Sequence, residues 1–160
     1  MSGLHEKLKD KFGDAVLSIH ADHGDETAVV TREAFLEIVN FIREDREFDI
    51  NMLIDLTAVD GLQMKWKPRF EMVYHFYSVN KNHRIRLKVQ VCEKDAVMPT
   101  LVKHWPIANW MEREAWDMYG IEFKDHPDLR RILMYEGFQG HPLRKDYPYN
   151  KRQPIIGPKN

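Results

Sequence analysis

The run from Arg84 to Val91 alternates strictly, with Ile85, Leu87, Val89 and Val91 on one side of an extended chain and Arg84, Arg86, Lys88 and Gln90 on the other. A period of two belongs to a strand, because a helix would scatter these residues around its axis. A strand with one apolar side needs neighbours and a core to cover that side. Two upstream segments supply the neighbours. Arg69–Val79 is aromatic-rich and apolar on both faces, and Asn80-Lys81-Asn82-His83 offers a hairpin turn into the alternating strand. Ile50–Asp60 also carries apolar residues on both faces, which reads as a central strand rather than an edge. Ala15–Val30 reads as two short strands around a turn at His23-Gly24-Asp25.

Helices flank these strands. Leu4, Leu8 and Phe12 recur at four-residue spacing before Gly13, the pattern of a short amphipathic helix. Thr31 reads as the N-cap of a second helix, with Ala34, Phe35, Ile38, Val39, Phe41 and Ile42 on one side and Arg32, Glu33, Glu37, Asn40 and Arg43 on the other. Pro99 reads as a helix start interrupted at Trp105-Pro106, and Asn109 as the cap of a last helix ended by Gly120. The expected fold is α+β: a mostly antiparallel sheet with helices on one face, plus an extended C-terminal arm. Residues 1–120 are expected to form the core domain and residues 121–160 a loop and partner-binding arm.

Composition narrows the chemistry. The 24 Lys and Arg against 25 Asp and Glu leave a net charge of -1, which gives no general attraction to nucleic acid. A single cysteine, Cys92, excludes an internal disulfide and a four-thiolate zinc or iron–sulfur site, and reads as a small core residue. No apolar run approaches the roughly 20 residues a bilayer requires, and the charged N-terminus lacks a secretory apolar stretch. The expectation is a soluble chain of a reducing compartment, the cytoplasm, able to attach to a membrane assembly from outside. No glycine-rich phosphate loop and no nucleophile elbow occurs. His20, His23 and Asp25 mimic a metal site, but they fall in a turn and lack further ligands.

Three segments carry information. On the last helix Trp110, Arg113, Glu114 and Asp117 share one side, with Arg113 and Asp117 spaced for an i,i+4 ion pair. That side reads as a solvated face, as an inter-subunit face anchored by Trp and Arg, or as an acid/base group with Glu112. Arg130 and Arg131 are adjacent, and could clamp carboxylates or simply make a basic turn. The last 20 residues have a net charge of +4, four prolines and the apolar anchors Leu143, Tyr147, Tyr149, Ile155 and Ile156. Burying five such anchors yields about 10 kcal/mol, against roughly 20–40 kcal/mol for ordering the backbone. A docked arm therefore also needs main-chain and charge-assisted bonds; its spaced anchors and positive charge suit wrapping an acidic partner surface, and the alternative is a free end.

The string Glu112-Arg113-Glu114-Ala115-Trp116-Asp117-Met118-Tyr119-Gly120-Ile121, then His126-Pro127-Asp128-Leu129-Arg130-Arg131-Ile132-Leu133, then Gly137-Phe138-Gln139-Gly140-His141-Pro142-Leu143-Arg144-Lys145-Asp146-Tyr147-Pro148, resembles the 30 kDa subunit family of respiratory complex I, the C-type subunit of bacterial NADH-quinone oxidoreductase. Asp125 stands where that family usually has glycine, and Tyr135-Glu136 departs from its commoner Asp-Tyr. The resemblance implies a non-catalytic subunit of the hydrophilic arm that binds no redox centre. NADH, FMN, iron–sulfur clusters and quinone are then carried by other subunits. It implies partners in the 49 kDa-type subunit and neighbouring iron–sulfur subunits, no nucleic acid, and a peripheral position on the cytoplasmic side of the inner membrane. The equivalent subunit of a related membrane-bound hydrogenase is the alternative. The expected partner interface is Trp110, Arg113, Glu114, Asp117, Arg130, Arg131, Leu143, Arg144, Lys145 and Tyr147. Charge reversal at Arg130 or Arg144 is expected to weaken assembly rather than folding.

Overall fold

The alternating run lies inside the sheet. In the computed structural model, which describes residues 3–154, His83–Val91 forms strand β5 and pairs along its length with β4, Phe70–Ser78, in antiparallel register. On its other side β5 pairs in parallel with β2, Thr27–Val30, which forms a hairpin with β1, Val16–His20. β3, Met52–Asp60, closes the far side, so the order is β1-β2-β5-β4-β3. The sheet is mixed because the hairpin β1–β2 and the meander β3–β4–β5 meet at one parallel seam.

One face of this sheet is the core. Phe70, Met72, Tyr74 and Phe76 of β4 and Ile85, Leu87, Val89 and Val91 of β5 are at most 1% exposed. Helix α2, Phe35–Glu44, covers them with Phe35, Ile38, Val39 and Ile42, all fully buried. Burial of each such side chain contributes about 2 kcal/mol. Helix α1, Leu4–Phe12, inserts Leu8, and Phe12 meets Phe41 edge-on at 5.5 Å. The fold is α+β, as the patterning implies.

Four expectations need correction. β3 is an edge strand, not a central one. Its register shifts between Leu53 and Asp55, which places Leu53 and Leu56 both inward and leaves Ile54 39% exposed. An inserted residue of this kind defeats a period-two reading. The second helix begins at Phe35, not after Thr31, because residues 32–34 make a turn from which Arg32 donates to the Asp95 carboxylate at 2.6 Å and to the Asp95 carbonyl at 2.9 Å. Pro99 starts no helix: Val97–Pro99 is a short strand, β6, paired in parallel with β7, Glu122–Lys124. Cys92 is exposed rather than part of the core, because β5 ends one residue before it. Ile121 and Phe123 join the core, so the packed body continues past residue 120.

The last helix, α3, spans Ala108–Tyr119 with Ile107 as its N-cap, two residues ahead of the expected Asn109 cap. It ends at Gly120, whose φ of 74° is left-handed and whose N–H donates to the Trp116 carbonyl. A Cβ at Gly120 would also lie 2.5 Å from His141 Nε2. Asp125, where the resembling family has glycine, adopts φ 66°. Asp tolerates this region better than most residues, so the departure leaves the turn intact. Gly120→Ala is expected to lower stability by about 2–3 kcal/mol, with a Tm fall of about 5–10 °C. Gly24→Ala, at φ 84° but with open space around the new Cβ, is expected to cost only about 1 kcal/mol. Calorimetry of the two variants checks the difference.

Candidate functional site

Helix α3 has a last turn whose four carbonyls lack helical partners. All four are satisfied here. The Trp116 carbonyl takes Gly120 N–H, Asp117 takes His141 Nδ1–H at 3.1 Å, Met118 takes Leu143 N–H at 3.1 Å, and Tyr119 takes Arg144 Nε–H at 2.6 Å. Three of the four donors come from the arm. The described part of the arm, 141–154, forms no helix or strand, as its prolines require, and runs in turns along the body. The order that apolar anchoring alone could not supply comes from these main-chain and charge-assisted bonds. Ile155, Ile156 and Lys159 lie outside the described residues.

The side chain of Asp117 anchors the preceding loop. It is fully buried. Its Oδ2 accepts the consecutive N–H groups of Ile132, Leu133 and Met134 at 3.1, 2.9 and 2.9 Å, and its Oδ1 accepts Arg131 Nη1 at 2.5 Å. Burial works against the charged form, but these four donors outweigh it and hold the carboxyl below its usual range. The expected Arg113–Asp117 ion pair is not made. Arg113 instead donates to the carbonyls of Arg130 and Arg131 at 3.1 and 2.9 Å. Arg131 also donates to the Phe138 and Gly140 carbonyls at 2.7 and 3.1 Å and lies over the rings of Trp116 and Phe138. Tyr147 stacks on Phe138.

A second carboxylate fixes the arm further along. Asp60, at the end of β3, accepts Arg69 through Nε at 2.9 Å and Nη2 at 2.6 Å, and also the N–H groups of Leu62 and Lys145 at 2.9 and 2.8 Å. Burial alone would raise this carboxyl; Arg69 and the two N–H groups bring it down to about 2. Arg69 also pairs with Asp146 and Glu93, both at 2.7 Å. Sequence reasoning misses Asp60 and Arg69, because an acid at a strand end and a base nine residues later carry no pattern.

The sequence-derived interface residues therefore divide. Arg113, Asp117, Arg131, Arg144 and Tyr147 have internal partners, which corrects the solvated-face reading of Asp117. Trp110 is 67% exposed, Leu143 46%, and neighbouring Leu133 56%; Glu114, Arg130 and Lys145 are exposed as well. Arg130 reaches only Asp128, at 2.9 Å, among the described residues.

The three carboxylates considered for acid/base work also separate. Glu114 is exposed and Asp117 is locked by four donors. Glu112 is fully buried on the core side of α3. It accepts Thr100 Oγ1–H at 2.5 Å and Leu101 N–H at 2.6 Å, and burial pushes it up to about 7. His126 Nε2 lies 3.9 Å away, but it donates to the Asn109 carbonyl while Nδ1 accepts Asp128 N–H, the tautomer of a neutral imidazole. Among the described residues the Tyr74 hydroxyl is buried without a hydrogen-bond partner. Among the described residues no three His, Cys, Asp or Glu side chains gather as a metal-ligand set, and no helix is long and apolar enough to cross a membrane.

The family model described as "Respiratory-chain NADH dehydrogenase, 30 Kd subunit" matches residues 28–153, from β2 to the end of the described arm. The chain belongs to this family. It is 44% identical over 153 residues to the C-type subunit of NADH-quinone oxidoreductase from Geobacter sulfurreducens, covering 94% of this chain and 93% of that one. Among solved structures it is similar to the trypsin-resistant fragment (1–134) of Nqo5 in a P63 crystal form, with a TM-score of 0.70 and 30% identity over 79% of this chain and 98% of that chain. A chain of an archaeal membrane-bound sulfane sulfur reductase, a respiratory membrane complex, shares the fold at 19% identity and a TM-score of 0.75, covering 91% of this chain and 84% of that chain. The family matches the resemblance carried by the 112–148 string.

Glu112 generates a pH prediction. Its carboxyl titrates near 4.5 when exposed and near 7 when folded, so the folded chain binds the extra proton. Its contribution is fully present below pH 4.5 and is lost as the pH rises through 7. The unfolding free energy is expected to fall by about 3 kcal/mol from this group across that window. In Glu112→Gln that slope disappears in urea melts taken at each pH.

Proposed function

We propose that this chain is a non-catalytic assembly subunit of the hydrophilic arm of an NADH:quinone oxidoreductase, and that it docks through the outer face of α3 and the loop and arm folded onto it. One observation carries the reading: the large apolar side chains Trp110, Leu133 and Leu143 are exposed on a segment whose backbone is held by internal bonds at nearly every turn. A face fixed in advance loses little entropy on binding, and that raises affinity. Exposed Trp is the residue type most enriched among binding anchors. The partner expected there is the 49 kDa-type subunit, with iron–sulfur subunits adjacent. Support comes from the family assignment and from the relatives named as C-type subunits of NADH-quinone oxidoreductase.

In this reading Arg113, Asp117, Arg131, Arg144 and Tyr147 hold the face in shape, while Trp110, Glu114, Arg130, Leu143 and Lys145 meet the partner. The chain itself performs no redox step; NADH, FMN, iron–sulfur clusters and quinone belong to neighbouring subunits. Its place is peripheral, on the cytoplasmic side of the inner membrane. The likeness to the sulfane sulfur reductase complex is one of fold, and nothing in the site favours the related hydrogenase-type assembly.

An affinity-tagged copy drawn from detergent-solubilised membranes is expected to bring the quinone-reducing subunits with it. Trp110→Ala combined with Leu133→Ser is expected to reduce the yield of assembled complex at least about 30-fold, equivalent to about 2 kcal/mol, with the Tm of the isolated chain unchanged. Full incorporation of that double variant contradicts the assignment of this face. Recovery of the tagged chain without partners contradicts the assembly role.

A further inference from the structure

The connection between β3 and β4 holds an exposed apolar loop that neither the core nor the α3 face uses. All six residues from Leu62 to Lys67 are exposed, including Leu62 at 41%, Met64 at 54% and Trp66 at 39%. A short loop in water rarely shows three large apolar side chains together, and contiguous exposed patches of this kind mark interaction sites.

Its position relative to the arm is set by Asp60. The same carboxylate that accepts Leu62 N–H also accepts Lys145 N–H. The loop and the arm are therefore tied to one buried group, and Leu143, 46% exposed, stands two residues from the shared anchor.

Charge decides what fits it. Lys65, Lys67 and Lys145 make no salt bridge among the described residues. The acids beside them are engaged: Asp60 and Asp146 by Arg69, and Glu93 by Arg69 at 2.7 Å with Arg144 at 3.6 Å. The patch is thus apolar in composition with a cationic surround whose nearby counter-charges are committed elsewhere.

Resting on the reading of this chain as an assembly subunit, we infer that the β3–β4 loop, Leu62–Lys67, forms a second docking surface beside the arm, for an acidic protein surface with an apolar centre carried by another subunit. A protein surface suits it better than a lipid surface. The Trp66 side chain packs closely against Gly61, where a Cβ would meet its ring at 2.5 Å, so the indole is folded back against its own loop instead of projecting as a membrane-inserting side chain would.

The test uses the full-length chain and the detergent-solubilised complex from cells that lack it. Wild-type chain is expected to rebind, with an affinity that weakens between about 50 and 300 mM salt. Lys65→Glu and Lys67→Glu together are expected to lower affinity at least about tenfold at the lower salt and to flatten the salt dependence, with Tm and near-UV circular dichroism unchanged. Met64→Ser, which alters the apolar centre alone, is expected to weaken binding at both salts. If wild-type chain rebinds and the double-lysine variant matches it in affinity and salt dependence, this inference fails while the assembly reading stands. If wild-type chain does not rebind, both fail. Flotation of the wild-type chain with phosphatidylcholine–phosphatidylglycerol vesicles that the lysine variant abolishes, or a self-association that it abolishes, would also overturn the inference.

Discussion

A buried carboxylate at the end of a helix organises the distinctive half of this molecule. Asp117 gathers three successive backbone N–H groups and one guanidinium. Taking a charge out of water costs several kcal/mol, and only near-complete hydrogen bonding offsets that. Here the offset comes from residues 14 to 17 positions further along the chain, so the charge can be buried only if the loop closes over it. Conversely, the loop has no regular secondary structure to satisfy Ile132, Leu133 and Met134, and the carboxylate does so. Helix end and loop are each incomplete without the other.

The arm extends the same logic. It supplies donors to the last carbonyls of α3 through His141, Leu143 and Arg144, and then reaches Asp60 through Lys145 and Arg69 through Asp146. These anchors are ionic or backbone-directed rather than apolar. That leaves the apolar groups of the segment, Leu133 and Leu143, facing outward. A segment that used its own leucines for internal packing would have little left to offer a neighbour. That polar bonds hold the segment while Leu133 and Leu143 stay exposed is the physical basis for reading this face as a docking surface.

Legibility from sequence follows periodicity. β5 is readable because its alternation runs unbroken from Ile85 to Val91, and the end of α3 because Gly120 both stops a helix and takes the left-handed conformation. β3 misleads because a register shift near Ile54 places two inward residues three apart. The start of α2 misleads because Arg32, not the Thr31 hydroxyl, is bonded at that corner. The interface residues stand out as a group, but the sequence holds no sign that Arg113 abandons Asp117 for the carbonyls of Arg130 and Arg131. Spacing within a helix reports on the isolated helix; the contacts that prevail join segments far apart in the chain. Glu112 is likewise one acid among several until Thr100 and Leu101 bond its carboxyl.

Amide hydrogen exchange in Asp117→Asn measures the central claim directly. Neutralising the carboxylate should weaken its hold on Arg131 and on the three N–H groups. Exchange at Ile132, Leu133 and Met134, and through the arm to Tyr147, is expected to accelerate at least about tenfold, an opening cheaper by about 1.4 kcal/mol, while β4 and β5 keep their protection. Unchanged exchange at 132–134, or loss of protection in β4 and β5 to the same degree as in the loop, would contradict the claim that this single side chain holds the loop and arm in place.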